Sequence, residues 1–133
     1  MKKVIALVII AFLFLCACGK TYETKDIIKG FKDDDLNVND EKKMTHDDFG
    51  AAPMKAIDAR IFIVNGNNHS RLLKFKNESD LKQTKIYYDE LGKESAILYS
   101  HTYSKEKYLI QMNGEVDDHT FEKYKKSMQK TLK

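Results

Sequence analysis

Four histidines, one acidic loop and one tyrosine-rich segment are the residues of this chain whose types and spacing could do chemistry. His46, His69, His101 and His119 include no pair at a metal-ligand spacing such as i, i+4 on a helix. Asp35, Asn37 and Asn39 have the one-three-five spacing of a calcium loop. Asp40 stands where the sharp turn wants glycine, and His46 where a bidentate glutamate belongs. A solvated acidic loop is the better account, so no metal is expected. Tyr99, His101 and Tyr103 share one face of a predicted strand and could form a polar-aromatic binding surface; equally they could lie under a helix or face solvent. Tyr87 and Tyr88 are adjacent on a predicted helix, so both cannot occupy the centre of its buried face. Tyr88 is expected inside, and Tyr87 is a candidate interface anchor. There is no Gly-x-Ser-x-Gly elbow, phosphate loop or zinc helix. No catalytic residue and no cofactor is expected, and binding rather than turnover is the predicted activity.

The two cysteines carry a different chemistry. Lys2-Lys3 opens the chain, an apolar block runs from Val4 to Leu15, and Leu15-Cys16-Ala17-Cys18 closes it. Twelve apolar residues are too few for a permanent span, which takes about 20, and suit the centre of a secretory signal. Leu15 to Cys18 resembles the lipobox of bacterial lipoproteins, with a branched apolar residue three positions before the cysteine and a small one just before it. The resemblance implies cleavage after Ala17 and diacylglycerol on the Cys18 sulfur. The expected organisation is a signal peptide over 1–17, a lipidated tether over 18–24 and one domain over 25–133. The expected location is the outer face of the cell membrane. Of 133 residues 116 remain after cleavage, enough for one compact domain. Their charge is about +1, because Lys2 and Lys3 leave with the signal. That balance gives no clustered positive face for nucleic acid. With Cys18 acylated no disulfide can form inside the mature domain, so an ordinary apolar core must hold it.

The elements that must position these residues follow from periodicity. Ile27, Ile28 and Phe31 predict a helix over 22–32, which Gly30 weakens. Leu36 to Val38 is a possible short strand, and Asn39 to Asp48 reads as a charged loop. Arg60–Val64 and Arg71–Phe75 read as a hairpin joined by more than two residues. Ser79 is the expected N-cap of a helix with Leu81, Thr84, Tyr88 and Leu91 on its apolar stripe, ending at Gly92. Ser95–Tyr103 and Tyr108–Met112 alternate as strands. Phe121, Tyr124, Met128 and Leu132 mark a last helix capped by Asp117 or Asp118. The expected fold is α+β: one mostly antiparallel sheet of about four to five strands, with about three helices packed on one face.

From about Tyr22 onward the chain resembles a family of small lipoproteins from low-GC Gram-positive bacteria and their mobile elements, some labelled stress proteins. The resemblance lies in Phe49-Gly50, Ala52-Pro53-Met54, Arg60-Ile61-Phe62, the run from Tyr87 to Ala96, Gln111-Met112-Asn113-Gly114 and Lys123-Tyr124-Lys125-Lys126. The chain is similar to a lipoprotein of an integrative and conjugative element that acts in exclusion, stopping a cell from receiving a second copy. The resemblance implies a membrane or conjugation-machinery protein as partner. A solute- or ion-binding surface lipoprotein and a surface enzyme are the competing readings.

Overall fold

The computed structural model describes residues 21–133, so the predicted signal, Cys16 and Cys18 lie outside the described residues. Helix α1 covers Thr24–Asp33, where Glu23 and Asp26 form a capping box and the Glu23 amide donates to Asp26 Oδ2 at 2.8 Å. Ile27, Ile28 and Phe31 face inward, as their spacing predicts. Strand β1 spans Asn39–Lys43 and the short helix α2 spans His46–Phe49. Both fall where a charged loop is expected, and the expected strand at 36–38 is displaced by a few residues. The reason is polarity: β1 is Asn-Asp-Glu-Lys-Lys, an edge strand wet along its length, and apolar alternation cannot reveal it.

Strands β2 (Asp58–Asn65) and β3 (Asn68–Lys74) form the expected hairpin. Their connection is only Gly66 and Asn67, shorter than expected, and Gly66 takes φ of +49° to make the turn. Helix α3 spans Glu78–Glu94, and its N-cap is Asn77, whose side chain accepts from the Asp80 amide at 2.9 Å, rather than Ser79. A 3-10 turn over Ala96–Leu98 precedes β4 (Ser100–Lys105), so the expected strand start at Ser95 is a corner instead. Strand β5 (Tyr108–Asn113) follows, then α4 (Asp118–Thr131), capped by Asp117.

The five strands form one antiparallel sheet in the order β1-β2-β3-β5-β4. The fold is α+β, as the pattern of elements predicts. The helices do not share one face, however. Phe62, Val64, Leu72, Ile110 and Met112 point to a first face, which α1 and α4 cover with Phe31, Tyr124 and Met128. Ala59, Ile61, Leu73 and Leu109 point to the second, which α3 covers with Leu81 and Tyr88. The cause is written in β5, where Tyr108 to Met112 are buried at every position. A strand buried on both sides needs cover on both sides.

Phe31, Phe62 and Tyr124 meet at ring-centroid distances of 5.2 to 6.1 Å, the aromatic centre of the first core. Gly30 sits where α1 crosses α4; a Cβ there would run into the Thr131 hydroxyl. The residue that weakens helix propensity is therefore what lets the two helices approach.

Candidate functional site

The predicted aromatic surface divides on folding. His101 enters β4 on the first face and is 5 % exposed, so it is a core residue and not a contact surface. Its ring stacks on Phe121 from α4 at 4.9 Å. Its Nε2 lies 2.6 Å from the Val116 carbonyl, which can only accept, so that nitrogen carries the proton. Nδ1 faces Asp118 at 3.7 Å. The histidine ties the edge strand to the start of α4. Tyr103 lies two residues along the same face, half-buried, with Lys125 Nζ 5.3 Å above its ring. Tyr87 is half-buried on α3, on the opposite side of the sheet, edge-on to Tyr88 at 5.4 Å. The four expected contact residues thus do not form one surface.

Tyr99 is different. It precedes β4, is 47 % exposed, and sets its ring edge-on to His101 at 5.2 Å. With Ile97 at 93 % and Leu98 at 48 % exposure it forms an apolar corner. Local chemistry makes this corner. The Ser95 hydroxyl accepts from the Ile97 amide at 3.3 Å and turns the chain. Gly92 and Gly114 bracket Tyr99, and a Cβ on Gly114 would overlap the Tyr99 backbone. The corner borders a groove of about 620 Å³ rimmed by Asn67, Asn68, Asn113 and Glu115. Sequence reasoning missed Ile97 and Leu98 because alternation across Ser95 to Tyr103 imitates a strand. The signal that could have found the corner is Ser95 as a cap after a helix end.

The second face carries a polar row beside its core. Arg71 donates to Gln111 Oε1 at 2.9 Å and to the Asp48 carbonyl at 3.1 Å, and Gln111 donates to Ser100 Oγ at 2.8 Å. Thr102 donates to Asp89, which also pairs with Lys85 at 2.7 Å. These groups satisfy one another. The buried Tyr88 hydroxyl nearby has no partner, and burial pushes it above the usual tyrosine range.

The calcium-like spacing is spent on structure. The Asn37 side chain donates to the Val64 carbonyl at 3.1 Å, and its own carbonyl accepts from the Tyr124 hydroxyl at 2.7 Å. Asp35 and Asp40 take φ of +58° and +50° to shape the loop around them. Among the described residues no group of three or more His, Cys, Asp or Glu side chains converges as a metal site. Among the described residues no helix is long and apolar enough to cross a membrane.

The chain enters the domain at the other end of the sheet from the corner. The Tyr22 hydroxyl donates to the Lys133 carbonyl at 3.1 Å. The Tyr22 carbonyl accepts from Lys74 Nζ at 3.2 Å and from the Tyr108 hydroxyl. Strand β3 runs from Asn68, beside the corner groove, to Lys74, beside Tyr22. Its six residue steps separate the two ends by about 20 Å. Comparison with protein-family models, with curated protein sequences and with solved structures returned no match.

Proposed function

We propose that this chain is a membrane lipoprotein, held on the outer face of the cell membrane by diacylglycerol on Cys18, whose domain binds another protein. The observation that carries the reading is the corner at Ile97, Leu98 and Tyr99. Three consecutive apolar residues exposed together, with Ile97 at 93 %, make a contiguous apolar patch of the kind that marks a contact surface. An apolar centre with an asparagine-rich rim has the anatomy of a protein interface. Ser95, Gly92 and Gly114 fix the corner, so little ordering opposes binding. It lies at the end of the sheet away from Tyr22, and so away from the anchor. The finer reading is exclusion, in which the domain contacts a membrane or conjugation-machinery protein and blocks entry of a second copy of a conjugative element. It draws on the family resemblance. Blocking by contact needs no turnover.

A photo-crosslinking residue in place of Ile97, in cells that carry such an element, tests the reading. One membrane protein should be captured. Ile97→Asp should lose both the capture and the block on incoming transfer while the melting temperature stays within about a degree or two, as for an exposed site. An Ile97→Asp protein that still blocks transfer would end the assignment of the corner. Cys18→Ala should free the protein from membranes with the domain intact, and unchanged membrane fractionation would remove the anchor.

A further inference from the structure

The end of the sheet around Tyr22 is built differently from the rest of the surface. Three hydrogen bonds fasten Tyr22 there, so Thr21 cannot swing away from it. From Thr21 to Cys18 is three residue steps, a reach of at most about 11 Å. Around this entry point opens a groove of about 610 Å³ lined by Ile57, Lys76, Lys107 and Lys133. Ile57 is 59 % exposed, and the three lysines are exposed. None of the three forms an ion pair among the described residues. The acidic groups at this end are mostly engaged. Glu23 pairs with Lys25 and joins Asp26 in the α1 cap, and Asp58 is held by Arg60 and Thr24. Glu106 lines the groove and leaves a surplus of positive charge.

We propose that this end is a bilayer-contact surface. Lys76, Lys107 and Lys133 meet anionic phospholipid headgroups, and Ile57 enters the headgroup layer beside them. The occupant is the membrane that holds the anchor, so the proposal rests on the lipoprotein reading: Cys18 in the bilayer leaves this surface no more than a short tether away. Basic side chains next to an acyl anchor act as a second membrane signal. Two acyl chains already hold the protein, so the lysines set its orientation. They lay the Tyr22 end on the lipid and turn the Ile97 corner outward.

The test couples the chain from Cys18 onward, made without its leader, through its one thiol to a maleimide lipid in vesicles. Residues 27–132 supply both cores, so this chain retains the fold. The vesicles are phosphatidylcholine alone or mixed with phosphatidylglycerol. Tethering holds the surface at high local concentration, so even a weak contact registers. Limiting acetylation read by mass spectrometry gives the reaction rate of each lysine. Lys76, Lys107 and Lys133 should react about fivefold more slowly or less on the anionic vesicles, the weight of roughly one lysine contact each. High salt should restore the rates, and Lys93, in the last turn of α3 at the opposite end of the molecule, should not change. A Lys76→Glu, Lys107→Glu variant should lose the difference at Lys133. Equal rates on the two vesicles, or slowing that includes Lys93, overturns the proposal and leaves the lysines to a protein partner. The coupling supplies the anchor chemically. Mass spectrometry of the chain extracted from its own membrane reads Cys18 acylation separately, so the two ideas fail independently.

Discussion

The two faces of the sheet solve the same burial problem with different materials. The first face is covered by two helices and centred on Phe31, Phe62 and Tyr124; its phenols are tied to backbone, as in the Tyr124 hydroxyl on the Asn37 carbonyl, and among the described residues its one buried hydroxyl without a partner is the small Ser127 Oγ on α4. The second is covered mainly by α3, has a smaller apolar cluster, and carries the Arg71–Gln111–Ser100 row and the orphaned Tyr88 hydroxyl. The difference teaches where stability resides. The first face is a closed core, sealed at the ends by Tyr22 and by His101. The second is half apolar and half polar lattice, able to lose a side chain with less collapse around it.

The largest effect should therefore come from the first face. Phe31→Ala removes a fully buried ring that two other aromatics touch, and neither α1 nor α4 can close the gap past Gly30. A loss of about 3–5 kcal/mol is expected. Tyr88→Ala, the matching truncation on the second face, should cost about 3 kcal/mol, at the lower end of the same range. Tyr87→Ala should cost clearly less, because that ring is half-buried at the rim. Denaturant midpoints measure all three. If Tyr88→Ala proves more damaging than Phe31→Ala, the ranking of the two faces is wrong.

A change of pH probes the buried phenols: burial raises Tyr88 on the second face, and it raises two phenols on the first face furthest. Burial first, then nearby carboxylates, pushes the Tyr108 hydroxyl up to about 12, and burial does the same for Tyr124. Both belong to the first core. A raised pKa means that the folded state favours the neutral phenol. That contribution is complete below the unfolded value near 10 and is lost as pH climbs through about 12. Unfolding free energy should fall between pH 10 and 12. Lysines discharge in the same window, so the informative comparison is Tyr124→Phe. It should be weaker at neutral pH by about 1 kcal/mol, for the lost bond to Asn37, and should show a shallower alkaline fall. Parallel pH curves for the two proteins would mean that this phenol does not drive the loss.

The contrast between the faces also marks what could be read from the residues alone. Helices α1, α3 and α4 announce themselves because each buries a periodic apolar set, and strands β2, β3 and β5 because each carries a short apolar run. Strand β1 does not, since an edge strand of Asn, Asp, Glu and Lys buries almost nothing. The second covered face was visible in principle in Leu72-Leu73 and Leu109-Ile110, where adjacent apolar residues must point opposite ways. Of the site, the inward Tyr88 and half-outward Tyr87 follow from helix spacing. His101 and Tyr103 do share a strand face, but only the return of α4, which starts at Asp118, decides that His101 is buried. The lysines near Tyr22 come from Lys76, Lys107 and Lys133, and no local pattern unites them.

The smallest expected effect is the sharpest test of the second face. Tyr88→Phe removes a hydroxyl that is buried with no partner and leaves the ring, so no cavity forms. An unpaired buried donor costs about 1–3 kcal/mol, and deleting it should be neutral or stabilising. The same change at Tyr124 deletes a satisfied hydroxyl and should destabilise. Opposite signs for one chemical substitution, read as the shift in melting temperature, are what a paired and an unpaired phenol require. A Tyr88→Phe protein that melts lower would mean that the hydroxyl has found a partner in solution. The polar row from Arg71 to Ser100 would then extend to α3, and the second face would be as closed as the first.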